Sequence, residues 1–134
     1  MDPDKALARS RRGRLGEAMA ALFLEARGWT IEARNFRSGR HEIDLVARRG
    51  STLALVEVKW RAATEAETET EGAAAAWSAA QRARAATAAW AAVRIHDPGR
   101  TCTLRFDLVA LDERPRGLVL EHRPGVWTPG HAWW

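Results

Sequence analysis

Between Leu53 and Trp60 the chain is apolar at every position until Glu57 and Lys59. A run this short and continuous leaves no polar face for water. It reads as a strand covered on both sides, at the centre of a sheet with packed layers above and below. The remaining pattern supplies those layers. Leu15, Met19, Leu22 and Phe23 recur at helical spacing, which predicts a helix over 15–27 that stops at Gly28. Residues 29–33 and 42–48 alternate as strands, with a loop at Ser38-Gly39 and a short turn at Arg49-Gly50-Ser51. An Ala-rich helix is predicted over 73–93, anchored by Trp77 and Trp90 and ended by Asp97-Pro98-Gly99. Two further strands follow over 103–111 and 118–121. The order α-β-β-β-α-β-β, with hairpin-length turns early and a long crossover later, implies an α/β fold with a mixed central sheet flanked by helices.

The 134 residues are enough for one domain with its own core, and 46% apolar with 28% charged residues is a globular composition. We expect a basic N-terminal arm over 1–13, a domain over 14–122 and a Trp-rich tail over 123–134. Within the domain, 64–72 carries four Glu and no base, and its Thr/Glu alternation is expected to form a mobile acidic loop. The single Cys102 excludes an intramolecular disulfide, and no run reaches the roughly 18 apolar residues of a membrane span. With no hydrophobic stretch behind Arg11-Arg12, a cytoplasmic protein without membrane attachment is expected.

The charge is informative in detail. The net +4 divides into +5 over 1–63 (13 basic, 8 acidic), −4 over 64–72 and +3 over 73–134 (8 basic, 5 acidic). Two basic segments around an acidic insert suit a polyanion such as a phosphate backbone. Of 21 basic residues only Lys5 and Lys59 are Lys, in a chain that otherwise writes Arg. A lone internal Lys is a candidate for chemistry that Arg does not perform.

Lys59 has company. Strand alternation puts Glu42, Asp44 and Val46 on one face of their strand, and Leu53, Leu55, Glu57 and Lys59 on one face of the next. The turn between these strands brings Asp44 opposite Glu57 at the end of the hairpin remote from the turn. Two carboxylates and an ammonium are costly to desolvate there without a purpose. Paired carboxylates make a hard oxygen site suited to Mg²⁺ or Mn²⁺, and a neighbouring Lys offsets charge on a phosphoryl group. A structural salt bridge is the alternative reading of the same spacing.

Gly16-Glu17, His41-Glu42-Ile43-Asp44-Leu45, Val56-Glu57-Val58-Lys59-Trp60-Arg61 and Arg105-Phe106-Asp107-Leu108-Val109 occur in this order. With Asn35-Phe36-Arg37 ahead of the Glu-Ile-Asp strand, this set resembles the YraN-like family. That family is a group of predicted endonucleases with the PD-(D/E)xK, restriction-endonuclease-like fold, similar to archaeal Holliday-junction resolvases. The resemblance covers about residues 12–111. It implies Asp44 and Glu57 as metal ligands, Glu17 as an additional acid on the metal, and Lys59 as catalytic base or electrostatic partner. Glu42 and Gln81 are implied as outer partners of the ligands, with a salt bridge the equal alternative for Glu42. Arg12, Arg14, Arg37 and Arg61 are the implied phosphate contacts, with a solvated surface Arg the equal alternative for Arg37 and Arg61. Asp107, which follows Arg105-Phe106 on a later strand, reads as a structural residue. Two departures stand out: His41 replaces the usual Gly, and the long helix lacks the family's Lys, with Gln81, Arg82 and Arg84 in that region.

The expectation is therefore a Mg²⁺- or Mn²⁺-dependent endonuclease acting on nucleic acid, DNA in particular, selecting structure rather than base sequence in repair or recombination. A homodimer is compatible with it. The alternatives are an inactive nucleic-acid-binding or assembly protein that keeps the fold, and a structural subunit that uses its Trp-rich tail. His96, His122 and His131 lack partners at metal-ligand spacing and are expected to be ordinary polar residues.

Overall fold

The computed structural model of the chain describes residues 3–62 and 79–127. Its elements are α1 (Pro3–Glu25), β1 (Thr30–Ser38), β2 (His41–Arg49), β3 (Thr52–Arg61), α2 (Ala79–His96), β4 (Thr103–Arg114) and β5 (Gly117–Trp127). The expected order α-β-β-β-α-β-β is the observed one. The acidic segment 64–72, the start of the Ala-rich helix with Trp77, and the end of the tail with His131, Trp133 and Trp134 lie outside the described residues.

The five strands form one mixed sheet in the order β1-β2-β3-β4-β5. All neighbours are antiparallel except β3 and β4, which run parallel from Thr52↔Thr103 to Arg61↔Asp112. A parallel pair cannot be joined by a tight turn, and the connection through α2 makes the crossover. β3 holds the centre and is packed on both faces, as its sequence demands. Leu53 and Leu55 face a core formed with Ala85, Ala88, Ala89, Ala92 and Val93 of α2. Ala54 and Val56 face a second core with Ala20, Ala21 and Leu24 of α1.

Several boundaries and one helix face differ from the sequence reading, β1 reaching Ser38 and β4 reaching Arg114 among them. α1 begins at Pro3, so the expected arm is helical from that residue. Proline suits a first helical turn, where its missing N–H would find no partner anyway. β5 continues through Trp127, taking the first part of the expected tail into the sheet. α2 runs on to His96, three residues past the expected end. In α1 the large apolar residues do not mark the buried face: Leu15 and Leu22 are exposed, and Gly16, Ala20, Ala21 and Leu24 face the sheet. The reason is bulk on the opposing strand. A Cβ at Gly16 would already stand 3.4 Å from the ring of Trp60 and 3.6 Å from Val58. In the same way α2 buries its alanines, while Trp90 lies half-buried beneath the guanidinium of Arg100 at 4.9 Å.

α1 ends as predicted at Gly28, whose φ is +89°. The N–H of Trp29 donates to the Leu24 carbonyl at 3.1 Å and that of Gly28 to Glu25 at 3.1 Å, the paired bonds of a Schellman ending. An L side chain there is strained, so Gly28→Ala is expected to cost about 1 kcal/mol, read as a lower urea midpoint at unchanged slope. Among the described residues no helix is long and apolar enough to cross a membrane.

Candidate metal centre

The close seat of α1 on β3 decides where the next residue goes. Gly16 lets the helix approach, and Glu17 is thereby held over the end of β2. Carboxylate oxygens of Glu17, Glu42 and Asp44 lie within 4.8 Å of one another. No hydrophobic requirement brings three acids together, and their mutual repulsion opposes it.

Simple alternation does not produce this cluster. Val46 and Ile43 both pack in the α2-side core, whereas Leu45 and Ala47 pack in the α1-side core. Residues 43 and 45, which a regular strand would place together, therefore face opposite ways. The facing strand shows the same break. Ala33 and Phe36, three residues apart, both pack on the α2 side, and Asn35 between them has a φ of +50°. With Arg34 paired to Leu45 and Phe36 to Ile43, the two irregularities lie side by side. Their effect is to turn Glu42 and Asp44 toward α1 and Glu17. The expectation that these acids share a face with Val46 is corrected on this ground.

The β2–β3 ladder pairs Leu45 with Val56, and beyond that point a side chain takes over. The N–H of Val58 donates to Asp44 Oδ2 at 2.8 Å. Asp44 is also hydrogen-bonded to Glu57, which in turn feels the charge of Lys59. Asp44 thus joins two groups: Glu17 and Glu42 on one side, Glu57 and Lys59 on the other. Burial pushes the Asp44 carboxyl up to about 6, against the Val58 N–H, with the charges of Glu17 and Glu42 adding to the rise. Glu57 is pushed up to about 8, first by burial and then by the neighbouring Asp44 charge, which Lys59 offsets only in part. Glu17 is raised too, mainly by burial, while a hydrogen bond from the Asn35 side chain works the other way.

The donor set fits a hard divalent ion. Octahedral Mg²⁺ takes oxygen ligands at about 2.0–2.1 Å, which places adjacent ligands about 3 Å and opposite ones about 4 Å apart. Oxygens already within 4.8 Å need only small side-chain adjustments to meet that requirement.

The remaining expected residues are distributed differently. Glu42 belongs to the close triad, while Glu57, expected there as a ligand, adjoins it through Asp44. Arg37 lies at the rim, with Nη2 3.2 Å from Glu42 and its side chain 73% exposed. Arg61 is instead clamped on Asp112, Nε to Oδ1 at 2.6 Å and Nη2 to Oδ2 at 2.7 Å. The parallel register that sets Arg61 beside Asp112 is its cause. Arg14 is exposed on α1, one turn before Glu17, and the side chains of Arg12 and Gln81 lie outside the described residues. His41 closes the β1–β2 hairpin opposite Ser38. Sequence reasoning gave Asn35 no role; its placement ahead of the acidic strand was the only signal.

A second acid is buried for a different purpose. Asp107 on β4 is fully buried and accepts from Arg105 Nε at 2.8 Å and Nη2 at 2.9 Å, and from the Gly125 N–H at 3.0 Å. His122 Nε2 completes its shell at 2.8 Å, with the His122 ring edge-on to Trp29. These partners hold its carboxyl below the usual range in spite of burial. Asp107 and His122 therefore form a satisfied structural network.

The model of a family described as "Uncharacterised protein family UPF0102" matches residues 16–111, which begin at Gly16 and end within β4. A UPF0102 protein of Paramagnetospirillum magneticum is 39% identical over 126 residues, covering 90% of this chain and 89% of its own. One from Parafrankia is 38% identical over 118 residues, covering 87% of this chain and 96% of its own. One from Erythrobacter litoralis is 59% identical over 51 residues, which span 38% of this chain and 44% of that protein.

Proposed function

The chain belongs to the uncharacterised protein family UPF0102, the YraN-like proteins, and from that premise we propose that it is a divalent-metal-dependent endonuclease hydrolysing phosphodiesters, acting on DNA. One observation carries the proposal: carboxylates from α1 and β2 converge within 4.8 Å beside a Glu57–Lys59 pair on the central strand. A bound Mg²⁺ or Mn²⁺ supplies polarisation of a phosphate oxygen and acidification of water. Asp44, Glu17 and Glu42 are the holding groups, and Glu57 completes the set through its hydrogen bond to Asp44.

The other side chains supply what the carboxylates do not. Lys59 is exposed next to Glu57, where its ammonium offsets charge that builds on the phosphoryl group. Arg37, at the rim against Glu42, is placed to exchange that carboxylate for a backbone phosphate. The two basic segments of the chain add affinity without sequence preference, so binding is expected to fall steeply with salt.

A cleavage panel of single-stranded, duplex, flap and four-way-junction DNA and RNA with Mg²⁺ or Mn²⁺ tests this reading. Lys59→Ala is expected to lower the cleavage rate about 10²-fold or more and leave duplex affinity within a few-fold of wild type. Parallel losses in rate and affinity would assign Lys59 to binding instead. Binding without cation-dependent cleavage of any substrate would favour a nucleic-acid-binding protein that has lost turnover.

A further inference from the structure

Asn35 is the residue beside the acidic cluster that the backbone geometry singles out. It sits in β1 with φ +50°, a left-handed conformation that Asn tolerates better than most side chains. Its neighbours on either side, Arg34 and Phe36, pair with Leu45 and Ile43 of β2. The left-handed residue therefore stands across from Asp44, at the place where both strands change the face they present. Its side-chain amide favours the ionised form of Glu17 on α1, against the burial that raises that carboxyl.

Resting on the metal-centre reading above, we propose that Asn35 is a positioning residue for the metal centre: its backbone turns the acidic segment toward α1 and its side-chain amide holds Glu17 in the cluster. The residue type is constrained from two directions. Glycine would accept the backbone conformation and supply no donor. Alanine, Ser or Gln would resist the conformation, and Asp would add a fourth negative charge beside three existing ones. Asn alone among these joins tolerance of the left-handed region with a neutral N–H donor. Glu17 gains from that donor because the charge of Glu42 opposes its own, and because it comes from a helix that no covalent neighbour ties to β2. Groups that orient a ligand in this manner influence metal affinity almost as strongly as the ligand itself.

The two roles separate by substitution. Asn35→Gly keeps the left-handed backbone and removes the amide, so the fold is expected to survive with a melting temperature near that of wild type. Mn²⁺ titrations of the full chain, followed by calorimetry and by the electron paramagnetic resonance of the free ion, are expected to show about 10-fold weaker binding. In a Glu17→Gln background the same substitution is expected to have little further effect, because the amide then has no carboxylate to hold. Unchanged Mn²⁺ affinity in Asn35→Gly overturns the inference, as does an undiminished loss in the Glu17→Gln background. Asp44→Asn separates this failure from failure of the underlying reading. Wild-type binding that Asp44→Asn removes and Asn35→Gly spares overturns the role of Asn35 alone. Wild type that takes up no Mn²⁺, or an Asp44→Asn protein that binds it normally, overturns both.

Discussion

Asp44→Asn is expected to lower cation-dependent phosphodiester cleavage by about 10³-fold or more and, in the same protein, to raise the melting temperature of the metal-free form. The two effects share a cause. Asp44 links the two parts of the site, lying within 4.8 Å of Glu17 and Glu42 on one side and hydrogen-bonded to Glu57 on the other. On the proposed function, removing its charge takes away a central metal ligand, and several kcal/mol of transition-state stabilisation corresponds to three or more orders of magnitude in rate. The metal-free protein gains because a buried charge among like charges is gone, while the asparagine oxygen still accepts the Val58 N–H.

The pH dependence fixes the sign of that gain. Asp44 is raised from 3.8 to about 6 and Glu57 from 4.5 to about 8, so the folded, metal-free chain keeps protons that the unfolded chain has already released. Its stability therefore falls as pH rises from about 4 through about 8. The advantage of Asp44→Asn should be small near pH 4.5 and largest near pH 8, as differential scanning calorimetry in EDTA would measure. Added Mn²⁺ should stabilise wild type most at the alkaline end, where the carboxylates have shed their protons. A substitution that kills activity and stabilises the apo fold identifies a functional cluster, because a structural salt bridge would respond in the opposite way.

Asp107 supplies that opposite response. Asp107→Ala is expected to destabilise the fold by about 3–5 kcal/mol, since it leaves the Arg105 guanidinium, His122 Nε2 and the Gly125 N–H without their common acceptor. The carboxyl is held below its usual value of 3.8, so its contribution is complete above the unfolded pKa and is lost only as pH falls through the depressed folded value. At neutral pH the full penalty should appear, as a lower urea midpoint with an unchanged slope. Asp107→Asn should recover part of it, because the amide oxygen accepts some of the same bonds. An Asp107→Ala protein as stable as wild type would contradict the role given to the network.

Much of this was legible in the chain because burial leaves a local signature. The two-sided core around β3 is written in the unbroken run from Leu53 to Val56, and the hairpin register follows from the short turn before it. Those two facts suffice to bring Asp44, Glu57 and Lys59 to one end of the sheet. Other features depend on contacts that no local pattern encodes. Leu15 and Leu22 mislead about the face of α1 because the opposing Trp60 and Val58 already fill the space that large helix residues would take. Glu42 joins Glu17 and Asp44 only because both strands break alternation, and one left-handed residue at Asn35 has no periodic signal. Arg61 reads as a free cation until the parallel pairing of β3 with β4 sets Asp112 beside it.

The most direct measurement follows cleavage rate and bound Mn²⁺ in the same samples, for wild type and Asp44→Asn, across a Mn²⁺ titration of the best substrate from the panel. The account predicts that in wild type cleavage rises in step with the bound ion, and that Asp44→Asn loses both together. Wild-type cleavage that persists in EDTA, or a Mn²⁺-dependent rate in Asp44→Asn equal to that of wild type, would contradict it.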